Sequence, residues 1–123
     1  MIAEIREALS TLLPLRLDEV DYNDPMVVLS GPGWSLSVAC PWRLMREGQL
    51  QTSYGDDGAG VVIDGLVGRV VVEVRAGDRC GSPGDIQVAL DDGALLDVFA
   101  DTDLDPWVLR LPDHTFVGTA SCG

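Results

Sequence analysis

Asp101, Asp103 and Asp105 stand at alternate positions, the D-x-D-x-D spacing with which a calcium-binding loop begins. Such a loop needs a glycine at its sixth position and a bidentate glutamate at its twelfth, and Pro106 and Pro112 occupy those places. The three carboxylates therefore read as a solvated acidic turn, and no metal is assigned. Asp56-Asp57 and Asp91-Asp92 adjoin glycines, where short acidic side chains cap turns. Cys40, Cys80, Cys122 and His114 make a Cys₃His zinc set by count alone, because no two cysteines have the close spacing of a structural zinc site. A thiol nucleophile served by His114 and Asp113 fails on geometry: neighbours on a strand face opposite ways, so Asp113 is badly placed to orient His114. Cys40 falls by parity on an apolar strand face and reads as an inert small hydrophobe. No Gly-x-Ser-x-Gly elbow, phosphate loop or dinucleotide fingerprint occurs. No catalytic residue and no cofactor follows from these residues.

Binding chemistry is a different matter. Trp and Arg dominate interface hot spots, which selects Trp42, Arg43, Trp107 and Arg110 as candidate contacts, with Asp101, Asp103 and Asp105 as their acidic neighbours. The competing reading is structural: a Trp that follows Pro at the start of a strand packs at the rim of a core, with Arg lying over its face.

Charge narrows the partners. Twenty Asp and Glu against eight basic residues give a formal net charge of −12, a field that repels phosphate backbones and anionic lipid heads. Nucleic acid and membrane are excluded as partners and a basic protein is favoured; acidity kept only for solubility is the bland alternative. All the basic residues are Arg, the codon bias of a GC-rich genome. Met1 to Leu15 does not read as a secretion signal, no apolar run has bilayer length, and three widely spaced cysteines suit reduced thiols, so a cytoplasmic location is expected.

The chain of 123 residues has the size of one domain, 1–123, and 46% apolar residues are enough for a core. Ile2, Ile5, Leu9, Leu12 and Leu13 recur at spacings of three and four, predicting an amphipathic helix over 2–13 that ends at Pro14. From Leu15 the pattern becomes short β-rich runs, with strands expected near 15–22, 26–30, 34–40, 69–75, 85–91, 94–100 and 107–111. The domain then divides into a helix (1–14), a first β half (15–46), a connecting loop (47–60) and a second β half (61–120). Residues 61–67 suit helix or strand equally.

The two halves look like copies. At a gapless offset of 60, Met26, Val28, Gly33, Leu36, Val38 and Cys40 fall on Ile86, Val88, Gly93, Leu96, Val98 and Ala100. Each reads as a hairpin turning at Gly31-Pro32-Gly33 or Asp91-Asp92-Gly93. Five residues are inserted in the second copy before Pro41-Trp42-Arg43-Leu44 is answered by Pro106-Trp107-Val108-Leu109. Alternation assigns one core face to Trp34, Leu36, Val38 and Cys40, to Ile86, Val88 and Leu90, to Leu96 and Val98, and to Val70, Val72 and Val74. Val27, Leu29, Ala89, Leu95 and Phe99 fall on the opposite face, where the N-terminal helix is the expected cover.

This succession of motifs, with Leu66-Val67-Gly68-Arg69-Val70, Gly84-Asp85-Ile86 and Asp92-Gly93-Ala94-Leu95-Leu96 between the two Pro-Trp-x-Leu steps, resembles a small bacterial family of the actinobacterial type grouped as a domain of unknown function. The resemblance spans about residues 15 to 120; Pro106 stands where that pattern has alanine after Glu, and the N-terminal helix is additional. It implies a fold relationship and no activity or catalytic residue.

The expectation is an α+β domain: an N-terminal helix packed on a mostly antiparallel, internally duplicated β-sheet, working as a non-catalytic acidic protein-binding domain, an immunity-type neutraliser of a basic partner. A small enzyme, such as a hydrolase with its site in a loop, and a module that self-associates through a sheet edge are the alternatives.

Overall fold

The computed structural model describes residues 1–77, 79 and 83–120; Cys80 and Cys122 lie outside the described residues. The order of elements is α1 (Ile2–Leu9), β1 (Leu15–Arg16), β2 (Glu19–Asn23), β3 (Met26–Gly31), β4 (Trp34–Val38), β5 (Trp42–Arg46), β6 (Gln49–Ser53), α2 (Ala59–Asp64), β7 (Val70–Ala76), β8 (Ile86–Leu90), β9 (Ala94–Val98), β10 (Trp107–Arg110) and β11 (Thr115–Val117). All pairings are antiparallel and form two sheets, β1-β7-β8-β9-β5-β6 and β11-β10-β4-β3-β2, which share one apolar core. Among the described residues no helix is long and apolar enough to cross a membrane.

The expected α+β duplication is present, and it is built by exchange. β4 pairs with β10 from the second half, with Trp107 opposite Val38 and Leu109 opposite Leu36. β9 pairs with β5 from the first half, with Trp42 opposite Val98 and Leu44 opposite Leu96. Each hairpin thus receives the Pro-Trp strand of the other copy. The helices follow the same rule: α1, which precedes β2, rests on β7, and α2, which precedes β7, rests on β2. A two-fold pseudo-symmetry relates the halves, and each supplies strands that complete the other's sheet.

Several expectations are corrected by this arrangement. Residues 47–60 are not a connecting loop, because β6 pairs with β5 there and α2 begins at Ala59. Residues 61–67 are helical at their start, within α2, and the expected strand at 15–22 divides into β1 and β2, which belong to different sheets. The gapless offset fails by one before the turn. The first hairpin pairs Gly31 with Trp34 across the two residues Pro32-Gly33, whereas the second turns over Asp91-Asp92-Gly93. Gly33 and Gly93 supply the positive φ, 78° and 87°, that each turn needs. Val27 and Leu29 therefore match Ile86 and Val88, and all four are buried in the core. In β7 a bulge between Val71 and Glu73 shifts the alternation, so Val71 and Val74 are buried while Val70 and Val72 are not. The N-terminal helix does not cover the outer face of the hairpins. Ile5 and Leu9 enter the core beside β7, and the second sheet does the covering expected of the helix.

Candidate functional site

Duplication makes each half a reference for the other, and the halves differ most in length at one end of the molecule. The four residues 23–26 between Tyr22 and Val27 become nine, 77–85, between their counterparts Ala76 and Ile86. The three residues Ala39-Cys40-Pro41 before Trp42 become eight, 99–106, before Trp107. The two enlarged connections meet. Arg79 from the first donates from Nε and Nη2 to the Asp85 carboxylate at 2.6 and 2.9 Å, and the same carboxylate accepts the N–H of Ala100 from the second at 2.8 Å.

Asp85 is buried while Arg79 is half-exposed, so the pair fixes a charged arm on the surface from a carboxylate anchored below it. Asp85 raises the Arg79 guanidinium further above its ordinary value, chiefly through these hydrogen bonds. The Arg79 guanidinium also stands over the Phe99 ring, 5.1 Å from its centroid, and Arg43 stands over the same ring at 5.4 Å. Arg43 donates from Nε to Asp97 at 2.7 Å, and the other oxygen of that buried carboxylate accepts from Gln87 at 2.7 Å. The corresponding residues in the other sheet are Val28, Ser37 and Val108 for Gln87, Asp97 and Arg43, and Ala39 for Phe99. This charged and aromatic platform belongs to one sheet only.

Beside the platform the connection rises as an acidic loop. Its ends are held by Ala100 on Asp85 and by the Pro106 carbonyl, which accepts the N–H of Ala39 at 2.8 Å. Between them Asp101, Asp103 and Asp105 are exposed, Asp103 hydrogen-bonds the Thr119 hydroxyl, and Asp105 takes a φ of 50°. Leu104, between two of these carboxylates, is 85% exposed, the most exposed of the large hydrophobic residues.

Among the residues selected from sequence, the structure brings Arg43, Asp101, Asp103 and Asp105 to this end. It does not bring the tryptophans into reach. Trp42 and Trp107 are buried at 1% and 0% exposure, and their indole N–H groups donate to the carbonyls of Pro25 and Gly84, at 3.0 and 2.8 Å, tying one sheet to the other. Their candidacy as contacts is corrected: a strand that starts at the crossing of the two copies directs its first side chain between the sheets. Arg110 is exposed at the far end of β10 from the acidic loop. Arg79, Phe99, Leu104 and the buried pair Asp85 and Asp97 were not selected from sequence. The five-residue excess before Pro106 signalled Leu104, whereas the ion pairs join residues with no telling spacing.

Cys40 is buried, and burial first, then the charges of Asp101 and Asp85, push its thiol up to about 12. His114 lies beyond the opposite end of β10 from Cys40. Among the described residues no group of three His, Cys, Asp or Glu side chains is placed to hold a metal. No protein-family model, curated protein or solved structure matches the chain.

Proposed function

We propose that the protein is a non-catalytic acidic binding domain that engages a basic protein, as an immunity-type neutraliser does, through the acidic loop 101–105 and the Arg43-Phe99-Arg79 platform beside it. One observation carries the reading: a loop with no counterpart in the first half, clamped at both ends, presents three carboxylates around the exposed Leu104. Six of the eight arginines already pair with carboxylates among the described residues, so little positive charge is free to offset the remaining acids. The uncompensated field steers a basic partner inward over about a Debye length of 8–10 Å, while the apolar anchor sets residence time. The same field disfavours nucleic acid, and a buried reduced thiol accords with a cytoplasmic setting.

The test is affinity capture with the product of the neighbouring gene as bait, at low and at high salt. Binding is expected to weaken as salt rises and to fall further when Asp101, Asp103 and Asp105 are changed to Asn. Leu104→Ala is expected to cost about 2 kcal/mol, a loss of about thirtyfold. A complex indifferent to both salt and these substitutions would refute the reading, and turnover of a generic ester, phosphate or amide by the purified protein would replace it with an enzymatic one.

A further inference from the structure

A second acidic feature lies elsewhere on the molecule, between α1 and the turn that joins β10 to β11. Ile5 and Leu9 turn one stripe of α1 into the core. Glu4, Glu7 and Ala8 on another stripe of α1, with Thr11 in the turn after it, line instead a cleft of about 530 Å³ whose other wall is Leu111, Pro112, Asp113, His114 and Phe116. A volume in the range of ligand sites, about 300–1,000 Å³, admits a side chain with its immediate neighbours.

The pseudo-symmetry shows that the fold does not require these groups. Ile5 and Leu9 match the buried Ala59 and Ile63 of α2, which places Glu4 and Glu7 opposite Gly58 and Val61. α2 rests on β6 as well as β2, whereas on the α1 side the corresponding space beside β11 is the open cleft. The α2 copy carries no charge at these two positions, where Gly58 and Val61 are exposed; the α1 copy sets carboxylates there, at the rim of a cleft.

The lining has a definite complement. Glu7 and Asp113 are exposed on opposite walls, Glu4 is held at 2.9 Å by the amino group of Met1, and no arginine lines the cleft. Leu12 and Leu111 supply an apolar floor, and the stacked rings of His114 and Phe116, 5.9 Å apart, supply a π face. A methylene stem ending in a cation satisfies all three surfaces: the stem on the floor, the planar head against the rings, its N–H groups on the carboxylates. We infer that this cleft seats an arginine side chain of the basic partner, at a point separate from the acidic loop. The inference rests on the proposed function for the identity of the occupant, and on the cleft alone for its chemistry.

A titration of the ¹⁵N-labelled protein with the peptide acetyl-Leu-Arg-Leu-amide, at millimolar concentration, tests it, with the citrulline analogue as the uncharged control. Amides of α1 and of 111–116 should shift with the arginine peptide and not with citrulline. Affinity should fall at least tenfold in Glu7→Gln/Asp113→Asn, both exposed positions that leave the fold intact, and should be unchanged when 101–105 is deleted. Shifts confined to the acidic loop, no shifts at all, or equal binding by the double variant would each overturn the cleft while leaving the proposed function to its own test. Binding in the cleft together with a captured complex indifferent to salt and to the loop substitutions would uphold the cleft and overturn the function.

Discussion

Replacing Asp85 by alanine tests whether the two enlarged connections are held together by one buried carboxylate. The side chain accepts two hydrogen bonds from Arg79 and one from the N–H of Ala100. Arg79 is half-exposed and returns to water when its partner is removed, so its loss contributes no more than a surface pair, about 0–1 kcal/mol. Ala100 is buried, and its abandoned N–H costs about 1–3 kcal/mol. The expected destabilisation is about 2–3 kcal/mol, a large share of a typical domain's stability. Asp85→Asn keeps an acceptor for Ala100 and should cost about half as much. Arg79→Ala reverses the geometry: the exposed partner leaves and the charge left behind is the buried one. That change should cost about as much as Asp85→Ala, because the penalty of about 3–5 kcal/mol for orphaning a buried charge is reduced by water entering where the guanidinium lay. Urea unfolding followed by fluorescence measures all three, and amide exchange should accelerate at 100–104 in Asp85→Ala. An Asp85→Ala cost below about 0.5 kcal/mol, or an Asn variant as damaged as the Ala variant, would refute the reasoning.

Cys40, with its thiol pushed up to about 12, has a thiolate fraction of about 10⁻⁴ at pH 8 against about a tenth for a thiol at its ordinary value of 9.0, so in a Cys80→Ser/Cys122→Ser background it should react with a disulfide reagent at least about a hundredfold more slowly native than in urea. Because that pKa is raised on folding, the thiol's stability contribution is whole below about 9 and is lost as pH rises toward 12; equal labelling rates in the two states would sink the assignment. Trp42→Phe and Trp107→Phe should each cost about 2 kcal/mol or more in urea unfolding, and by similar amounts, since each indole bonds a carbonyl of the other sheet; neutral substitutions would return the tryptophans to the surface. Cutting the chain after Asp57 should give two fragments of which neither folds as a monomer, because each sheet takes strands from both halves, while mixing restores the native spectrum. A folded monomeric fragment by circular dichroism and sedimentation would contradict the exchange.

Much of the fold was legible because turns and alternation are local. Gly33 and Gly93 marked both hairpins, and the parity of Trp34, Leu36 and Val38 marked a face that is buried in the core. What failed was what local pattern does not encode. The single extra residue in the second turn reversed the faces assigned to Val27 and Leu29, and the β7 bulge did the same to Val72. Exchange of β5 and β10 was invisible because Pro-Trp-x-Leu strands of equal pattern fit either hairpin. Val61, Val62 and Ile63 suit strand or helix by composition, and packing against β2 decides for helix. At the site, the acidic loop showed itself as an insertion, whereas Arg79 on Asp85 and Arg43 on Asp97 join residues chosen by the folded backbone alone.

The first half also shows how to remove the proposed site without removing the fold. Ala39-Cys40-Pro41 carries the chain from β4 to β5, so deletion of 101–105 leaves Phe99-Ala100-Pro106 to make the equivalent crossing from β9 to β10. The decisive measurement is partner binding by this deletion variant, with its melting temperature taken alongside. The deletion variant is expected to fold, to melt within a few degrees of the parent, and to bind more weakly by about a hundredfold or more. Undiminished binding by the folded deletion variant would contradict the claim that this loop is where the protein meets its partner.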